Sequence, residues 1–596
     1  MTRHEVLELY RDRRASRARD KEARRNSLTW VAWARLVVFF AGVVMLWFAW
    51  ETDRLSWPWL IVPLLAFSIL VGRHHRLREA FLRAERAESF YARGIDRIEE
   101  RWQGQGRTGE TFLQSGHPYA RDLDVFGRAS LFELLATTES PWGEARLAEW
   151  LKGPAAADEV VERQRAVREL AAKVDLREAI AVERRGEEET VDAQALGAWA
   201  SAPPVLTASW LRFVALVLGL ASLSFAIAWL ASWVSRTPAL LVLAASGAFG
   251  MLLRERVRSV IGSVERPARD LTLLSVLLER YERETFSCPK LLSLQTALSA
   301  AHTTASVQIG RLNRTIELLD ARRNQLFAPF AALALWGTQF SFALESWRKR
   351  VGSAVPAWLD AVSDLDALMA MGTYAFEHPD DSFPEITTGD AFFDAVELGH
   401  PLIPEGRLVR NDVRLGGERR LLVVSGSNMS GKSTLLRSIG VGTVLALAGA
   451  PVRARSLVVS PLVVAASIRI EDSLQDGISH FYAEILRLRQ VMELASQGSS
   501  VLFLLDEILH GTNSHDRRIG AEAVVRGLVD RGAIGLITTH DLALSRLAET
   551  MNEKAANVHF QDQIEEGKIR FDYKMRDGVV KKSNALALMR SVGLEV

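Results

Sequence analysis

The stretch VVSGSNMSGKSTLLRSIG, from Val423 to Gly440, decides the fold of the C-terminal part of the chain. It predicts an apolar β-strand, a glycine-rich loop and a helix, in that order. Gly426 and Gly431 bracket a G-x-x-x-x-G-K-[ST] loop that Lys432 and Ser433 complete. In such a loop, backbone N–H groups and the positive end of the following helix attract phosphate oxygens. The predicted nucleotide-binding residues are Gly426, Ser427, Asn428, Met429, Ser430, Gly431, Lys432, Ser433 and Thr434.

A second apolar run, SSVLFLLDEILHGT, delivers two carboxylates to the end of a predicted strand. Ligands of open α/β sheets bind at the carboxyl ends of the strands. Asp506 and the Ser433 hydroxyl are therefore predicted to hold Mg²⁺, and Glu507 to polarise the attacking water. The alternative is that the acidic pair only caps a helix. Lys432 is predicted to reach the terminal phosphates of ATP, so the expected cofactors are ATP and Mg²⁺.

A third apolar run, AIGLITTH, ends in His540. Taken with the glycine loop, this histidine is predicted to sense the γ-phosphate and is counted with the catalytic residues. Taken alone, it is equally well explained as an ordinary histidine at a strand end.

Length and composition limit the remaining possibilities. With 596 residues the chain is too long for one hydrophobic core, so two to four domains are expected. A net charge of +1 gives no global basic footprint for nucleic acid. A single cysteine, Cys288, excludes a disulfide framework and a cysteine-built metal site.

Four apolar runs predict two membrane hairpins. Leu28–Trp50 and Trp57–Gly72 form the first pair, and Phe213–Val234 and Pro238–Leu253 form the second. The longer member of each pair is long enough to cross a bilayer as a helix, and several tryptophans stand at the ends of the runs. The alternative is a set of buried core helices.

The basic residues around these runs predict the topology. YRDRRASRARDKEARR precedes the first run, RHHRLREAFLR follows the second and RERVRSV follows the fourth. By the positive-inside rule, both termini and the nucleotide site are cytoplasmic, in a multi-pass protein of the cell (inner) membrane. A fifth apolar run, 326–344, is interpreted as a buried or interfacial helix, because a fifth crossing would place the nucleotide site outside. No cleavable signal peptide is predicted.

Six motifs together resemble the ATPase domain of the MutS mismatch-repair family, within the wider ABC-type ATPases. The family's TGPNMGGKST corresponds here to SGSNMSGKST. The other matching elements are GHPL at 399–402, Asn411-Asp412, a signature at Gly477, Ser479, Phe481 and Glu484, DEILHGTNSHD at 506–516, and Thr539-His540. Segments 122–170 and 358–375 more weakly resemble the family's core and lever helices.

This resemblance implies an ATP hydrolase that forms a homodimer. The two ATPase domains would pair head to tail, with the signature residues Gly477, Ser479, Phe481 and Glu484 serving the partner's nucleotide. The family's N-terminal mismatch reader is not found, and Leu408 stands where the family often has an aromatic residue against adenine. DNA binding is thus possible but is not expected to be mismatch-specific, and no small-molecule substrate other than ATP is indicated.

The predicted fold class is multidomain: an α-helical core and lever with two transmembrane hairpins, plus a C-terminal α/β P-loop ATPase domain of the ABC/MutS type. The predicted segments are a basic N-terminus 1–27, hairpin 28–72, core/lever 73–205, hairpin 206–253, lever 254–385 and ATPase domain 386–596. The predicted function is a membrane-anchored ATPase that moves helical levers, in an unspecified cellular process. The alternatives are a membrane-associated protein that repairs or recombines mismatched or branched DNA, and a nucleotide-gated membrane scaffold.

Overall fold

A computed structural model describes most of the chain. The described residues are 1–51, 56–183, 193–264, 271–299, 304–325, 327–427, 429–469, 480–509, 513–540, 542–565 and 568–580. The chain forms two compact units. The first comprises Met1–Thr137, Leu147–Val182 and Leu368–Val596, and the second comprises Thr138–Arg146 and Glu183–Ala367.

The described helices and strands confirm a helical N-terminal region followed by a mixed α/β domain. The α-helices are α1 Arg3–Glu51, α2 Ile61–Ile98, α3 Leu131–Leu135, α4 Pro141–Trp150, α5 Ala157–Ala171, α6 Val174–Glu183, α7 Ala193–Ser201, α8 Ser209–Leu230, α9 Arg236–Val264, α10 Leu271–Arg283, α11 Pro289–Leu298, α12 Ala305–Asp320, α13 Ala328–Leu333, α14 Trp336–Val351, α15 Val355–Glu377, α16 Lys432–Ala448, α17 His480–Ser496, α18 Ser514–Asp530 and α19 Leu542–Thr550. The strands are β1 Glu385–Ile386, β2 Phe393–Leu398, β3 Asn411–Leu415, β4 Leu421–Ser425, β5 Ser456–Val459, β6 Val463–Ser467, β7 Val501–Leu505, β8 Ile534–Thr539, β9 Ala555–Glu565 and β10 Lys568–Asp577.

In the first unit, α1 and α2 form a long antiparallel pair. Gly42 lies so close to Pro63 that a Cβ atom there would be 3.4 Å from the proline ring, and Phe39 meets Phe67 at 6.2 Å between ring centroids. The apolar portions of both helices are exposed, as at Trp30, which is 76% exposed. The predicted boundaries 27/28 and 72/73 lie inside these helices, because each continues from polar to apolar sequence without a break.

The polar ends of α1 and α2 pack into the rest of the first unit around two buried tyrosines. Tyr10 of α1 meets Tyr91 of α2 edge to face at 5.5 Å. Arg97 donates two hydrogen bonds of 2.7 Å to the buried carboxylate of Glu377 in α15. Desolvation raises the pKa of Tyr91 to about 12, so its hydroxyl stays protonated and can donate to Glu178.

The second unit contains the other apolar pair, α8 and α9. The Ser222 and Ser246 hydroxyls bond across it at 2.6 Å and are buried, so each satisfies the other within an apolar interface. By length and composition, the described residues provide four helices that could cross a membrane: α1, the 57–98 segment that contains α2, α8 and α9.

The fifth apolar run is two helices and not the single helix predicted for 326–344. Helix α13 ends at Leu333 and α14 begins at Trp336, with Leu335 in the left-handed region at φ 47°. At Gly219 of α8, a Cβ atom would lie 2.7 Å from the Ala334 carbonyl oxygen. The missing side chain thus lets the turn between α13 and α14 approach α8 closely.

The α/β domain lies in the first unit and contains two sheets. The larger sheet has six strands in the order β10-β9-β4-β8-β7-β6, and only β10 runs antiparallel to its neighbour. Strands β4 and β7 are buried throughout, as are the residues of β8. Their carboxyl ends lie side by side at one edge of the sheet. The smaller sheet has the order β1-β5-β2-β3.

Candidate nucleotide site

The glycine loop connects buried strand β4 to helix α16, as the sequence predicts. Gly431 adopts a φ of 106°, and a Cβ atom there would lie 3.1 Å from the Tyr573 ring, so glycine is required for both backbone and space. Helix α16 begins at the next residue, Lys432, and its first backbone N–H groups face the loop. The described part of the loop therefore has the conformation expected of a phosphate-binding turn.

Lys432 is held inside this loop. Its Nζ atom donates to the carbonyl oxygens of Gly426 at 2.8 Å and Ser427 at 3.0 Å. The same atom lies 3.7 Å from Glu507 Oε1, and the lysine side chain is only 5% exposed. The loop thus fixes a positive charge where the sequence predicts the terminal phosphates.

The predicted carboxylates follow β7 and lie beside β8. Glu507 has a φ of 46°, a left-handed conformation that costs a non-glycine residue on the order of 1–3 kcal/mol and is concentrated at functional sites. Its Oε1 atom also lies 3.6 Å from His540 Nδ1. The three predicted catalytic side chains, Lys432, Glu507 and His540, are therefore brought together.

Thr538 positions both carboxylate residues and is not among the predicted site residues. Its hydroxyl donates to Asp506 Oδ1 and accepts a 3.0 Å hydrogen bond from the backbone N–H of Glu507. The side chain is 1% exposed. In the sequence, Thr538 is only a hydroxyl residue near the end of the apolar run that precedes His540. Its role can be recognised only once β7 is known to pair with β8.

Lys432, Asp506 and Glu507 line a cavity of about 1230 Å³. Among the predicted residues, its walls include Ser427, Met429, Gly431, Lys432, Ser433, Thr434, Asp506, Glu507 and Glu484. The volume accommodates a nucleotide, since ligand pockets commonly measure about 300–1,000 Å³.

Mg²⁺ and a nucleotide fit this cavity by two observations. The Ser430 hydroxyl, between the two loop glycines, is buried without a hydrogen-bond partner among the described residues. Ser433 and Asp506 offer the oxygen ligands that Mg²⁺ prefers.

Aromatic side chains on β9 and β10 line the same cavity. Tyr573, at a bulge in β10 with a φ of 52°, is 43% exposed and stacks on Phe571 with 6.0 Å between centroids. Asn411 fixes this bulge, donating to Tyr573 O at 3.0 Å and accepting from the N–H of Met575 at 2.8 Å. Leu408 instead packs against Gly399. The exposed aromatic ring thus comes from β10, not from the position of Leu408.

The described residues include only part of the predicted signature. Gly477 and Ser479 lie outside the described residues, as does Asn428 of the glycine loop. Phe481 packs against the hydrophobic core of its own domain. Glu484 is 1% exposed, and its Oε1 accepts a hydrogen bond from the backbone N–H of Leu509. The role of the signature in trans stays a prediction, while the Glu484 carboxylate is bonded within its own domain.

Comparison with known proteins identifies this part of the chain. Residues 422–595 match the family model "MutS domain V". The C-terminal α/β domain is a MutS-family ATPase domain. The resemblance is thereby confirmed for residues 422–595, which contain four of the six motifs; GHPL at 399–402 and Asn411-Asp412 precede the match.

Relatives are similar to only part of the chain. "Endonuclease MutS2" of Thermus thermophilus is 34% identical over 244 residues, which cover 40% of this chain and 31% of the relative. "Endonuclease MutS2" of Clostridium botulinum (strain Eklund 17B / Type B) is 26% identical over 357 residues, covering 57% of this chain and 42% of the relative. "DNA mismatch repair protein MutS" of Geobacillus thermodenitrificans is 32% identical over 244 residues, with coverages of 40% and 26%. The chain thus spans less than half the length of these relatives.

Proposed function

We propose that this chain is a membrane-anchored ATPase in which MutS-type ATPase domains bind and hydrolyse Mg²⁺-ATP as a homodimer. The observation that carries the proposal is the convergence of Lys432, Glu507 and His540 on the glycine loop of a domain whose chain also contains four candidate spans.

The side chains have distinct roles in hydrolysis. Lys432 neutralises charge on the terminal phosphates, and its hold on the loop carbonyls keeps the ammonium in place. Glu507 orients and polarises the attacking water, and His540, 3.6 Å from it, senses the γ-phosphate. Ser433 and Asp506 would hold Mg²⁺, which when bound would neutralise charge that develops on the phosphates.

Exposed apolar residues of the α/β domain support pairing of the ATPase domains. On α17, Tyr482, Ile485 and Leu486 share one face and are 53%, 39% and 40% exposed. Met429 in the glycine loop is 80% exposed, and Ile519 on α18 is 53% exposed. An exposed apolar helix face such as that of α17 is typical of an interaction surface. A head-to-tail homodimer, as the resemblance implies, would cover them.

The distribution of exposed apolar side chains supports membrane anchoring. The most apolar 18-residue windows of α1 and of the 57–98 segment contain no buried residues. In the corresponding windows of α8 and α9, 17% of the residues are buried. Basic residues flank the inner ends of these helices, which favours both termini and the ATPase domain on the cytoplasmic side of the cell membrane.

A polar network within the first unit supports coupling between the nucleotide site and the first hairpin. Glu100, just after α2, pairs with Arg3 of α1 at 2.9 Å and accepts from the Glu405 N–H at 3.1 Å. Glu405 also meets Arg453 at 3.5 Å. The neighbouring Pro404 and Arg407 line the cavity. Nucleotide-dependent movement of this loop would therefore act on the base of α1 and α2.

Phosphate release by the detergent-purified protein tests the enzymatic proposal. Lys432→Ala should abolish productive ATP binding, and Glu507→Gln should bind ATP but turn over on the order of 10²-fold more slowly. The matched control is Glu522→Gln, because Glu522 forms an i,i+4 pair with Arg526 on α18 outside the cavity lining. Equal turnover by the wild type and Glu507→Gln would remove Glu507 from the mechanism.

Cysteine labelling in intact cells tests the topology. In a Cys288→Ser background, single cysteines at Ser56 and Thr237 should react with a membrane-impermeant maleimide. A cysteine at Asn513 should react only after lysis. Labelling of Asn513 from outside would contradict the proposed orientation.

A second candidate function is membrane-held DNA repair, favoured by the similarity to relatives named for mismatch repair. Clamping a duplex requires phosphate contacts, whereas the net charge is only +1. We therefore expect weak, salt-sensitive duplex binding with no mismatch preference in fluorescence anisotropy at about 0.15 M salt. Tight binding that prefers a mismatch or a branched junction would favour the repair function instead.

A further inference from the structure

A groove between α1 and α2 lies where both helices change from apolar to basic sequence. It measures about 370 Å³ and is lined by Leu28, Thr29, Ala32, His74, Arg78, Phe81 and Leu82. On α2, the four lining residues follow the i, i+4, i+7, i+8 spacing of a single helix face. On α1, Leu28 and Ala32 are one turn apart. The groove is thus built by two packed faces.

The polar groups of this groove have few partners of their own. His74 Nδ1 is buried and finds no hydrogen-bond partner in the described part of the chain. No ion pair or hydrogen bond of the Arg78 side chain occurs among the same residues, whereas Lys21, further from the apolar run, pairs with Glu88 at 2.6 Å. A desolvated ring nitrogen and an uncompensated guanidinium in one groove form a site for an anion.

The apolar part of the groove restricts the kind of anion. Phe81, Leu82, Leu28 and Ala32 offer a hydrocarbon wall beside the two polar groups. A soluble anion would leave this wall exposed to water, whereas a molecule with both a phosphate and an acyl chain would cover it. The level of the groove, at the inner ends of the first two spans, matches the headgroup region of the cytoplasmic leaflet.

We propose that this groove binds one anionic glycerophospholipid, with its phosphate at Arg78 and His74 and an acyl chain along Leu28 and Ala32. The proposal rests on the membrane anchoring proposed above. Arg78 provides a planar fork of donors that suits a phosphate, and a nitrogen of His74 provides a second contact. The lipid would also fill the space between α1 and α2 where the helices enter the membrane.

Native mass spectrometry of the full-length protein in detergent tests this proposal. The probe is dioctanoyl-phosphatidylglycerol, and dioctanoyl-phosphatidylcholine has the same chains on a zwitterionic headgroup. Glycerol 3-phosphate and inorganic phosphate supply the anion without chains. Both lipids carry the phosphate, but the quaternary ammonium of choline would lie beside the Arg78 guanidinium and be repelled by it. We therefore expect one phosphatidylglycerol to bind about 10-fold more tightly than phosphatidylcholine. The chain-free anions should not compete.

Two variants locate the site, and a third variant serves as the control. Arg78→Gln should remove the preference for phosphatidylglycerol. Ala32→Phe, which fills the groove and keeps every charge, should remove binding of the lipid itself. Arg76→Gln is the matched control, because Arg76 is an exposed arginine of the same border outside the groove lining. It should leave the preference within about twofold.

Three results would overturn the lipid site. They are equal binding of the two lipids by the wild type, equal losses in Arg78→Gln and Arg76→Gln, and competition by inorganic phosphate, which would indicate a site for a soluble anion. None of these results bears on membrane anchoring, which the cysteine labelling tests separately.

Discussion

Replacing Thr538 with valine removes a single hydroxyl from the candidate site. That hydroxyl donates to Asp506 Oδ1 and accepts from the Glu507 N–H at 3.0 Å. Valine keeps the β-branched shape that strand β8 accommodates, so the backbone of the strand should not change. The substitution therefore tests whether the positions of Asp506 and Glu507 depend on the neighbouring strand.

The expected effect follows from these two hydrogen bonds. A hydrogen bond to a charged carboxylate contributes about 1.5–3 kcal/mol, and an unsatisfied buried N–H costs about 1–3 kcal/mol. Groups that orient a metal ligand typically change metal affinity or activity by about 10–100-fold when removed. We therefore expect Thr538→Val to require about 10–100-fold more Mg²⁺ for half-maximal turnover, while the affinity for Mg²⁺-free nucleotide stays within about threefold.

Phosphate release measured over a range of Mg²⁺ concentrations is the assay, with a fluorescent ADP analogue for binding. Thr538→Ser, which keeps the hydroxyl, should restore Mg²⁺ dependence. Thr443→Val is the matched control, because Thr443 is buried in α16 and its hydroxyl donates to Ile439 O at 2.8 Å within that helix. The same Mg²⁺ dependence in Thr538→Val and the wild type would refute this role for the hydroxyl. So would an equal shift in Thr443→Val.

Three further perturbations have defined outcomes. Tyr573→Ala should weaken ADP binding about 10-fold and Tyr573→Phe should not, because base stacking on an aromatic ring contributes about 1–3 kcal/mol. Equal ADP affinities of Tyr573→Ala and the wild type in a fluorescence titration would exclude stacking. Arg97→Met leaves the Glu377 carboxylate buried and unpaired, so the free energy of unfolding should fall by about 3–5 kcal/mol in a denaturant titration. The control Arg101→Met removes an exposed pair and should change this free energy by less than about 1 kcal/mol. Burial lowers the pKa of His400 to about 4, so its contribution to stability is present above pH 6.5 and is lost as the pH falls towards 4. The wild type should lose about 2 kcal/mol more than His400→Asn between pH 7.5 and 5, and equal losses would show that His400 is not a neutral buried group.

The sequence predicted those parts of the site that lie in short local motifs. Lys432 and its loop depend on consecutive residues around one turn, and Asp506 and Glu507 follow one strand, so their chemistry could be inferred before any contact was known. The α/β class of the domain followed from the same motifs. Periodicity likewise located the apolar helices, because the length of an apolar run is a local property.

The rest depended on contacts between distant parts of the chain. Thr538 orients the carboxylates only because β7 pairs with β8, and Tyr573 reaches the glycine loop only because β9 and β10 extend the sheet beside β4. Neither pairing is encoded in a local pattern. The break at Leu335 was missed for a similar reason, since an uninterrupted apolar run gives no sign of a left-handed residue favoured by packing against Gly219.

The length of α1 has a mechanical consequence. Its 49 residues contain no proline, and at 1.5 Å per residue the stretch from Tyr10 to Trp50 is a rod of about 60 Å. A rod of that length converts a rotation of about 5° at its base into a displacement of about 5 Å at its tip. The paired helix α2 stiffens it against bending. A rearrangement too small to change the fold around the nucleotide would thus be amplified at the far ends of α1 and α2. A flexible insertion near Ser27 would disconnect the displacement at the tip of α1 from the rotation at its base.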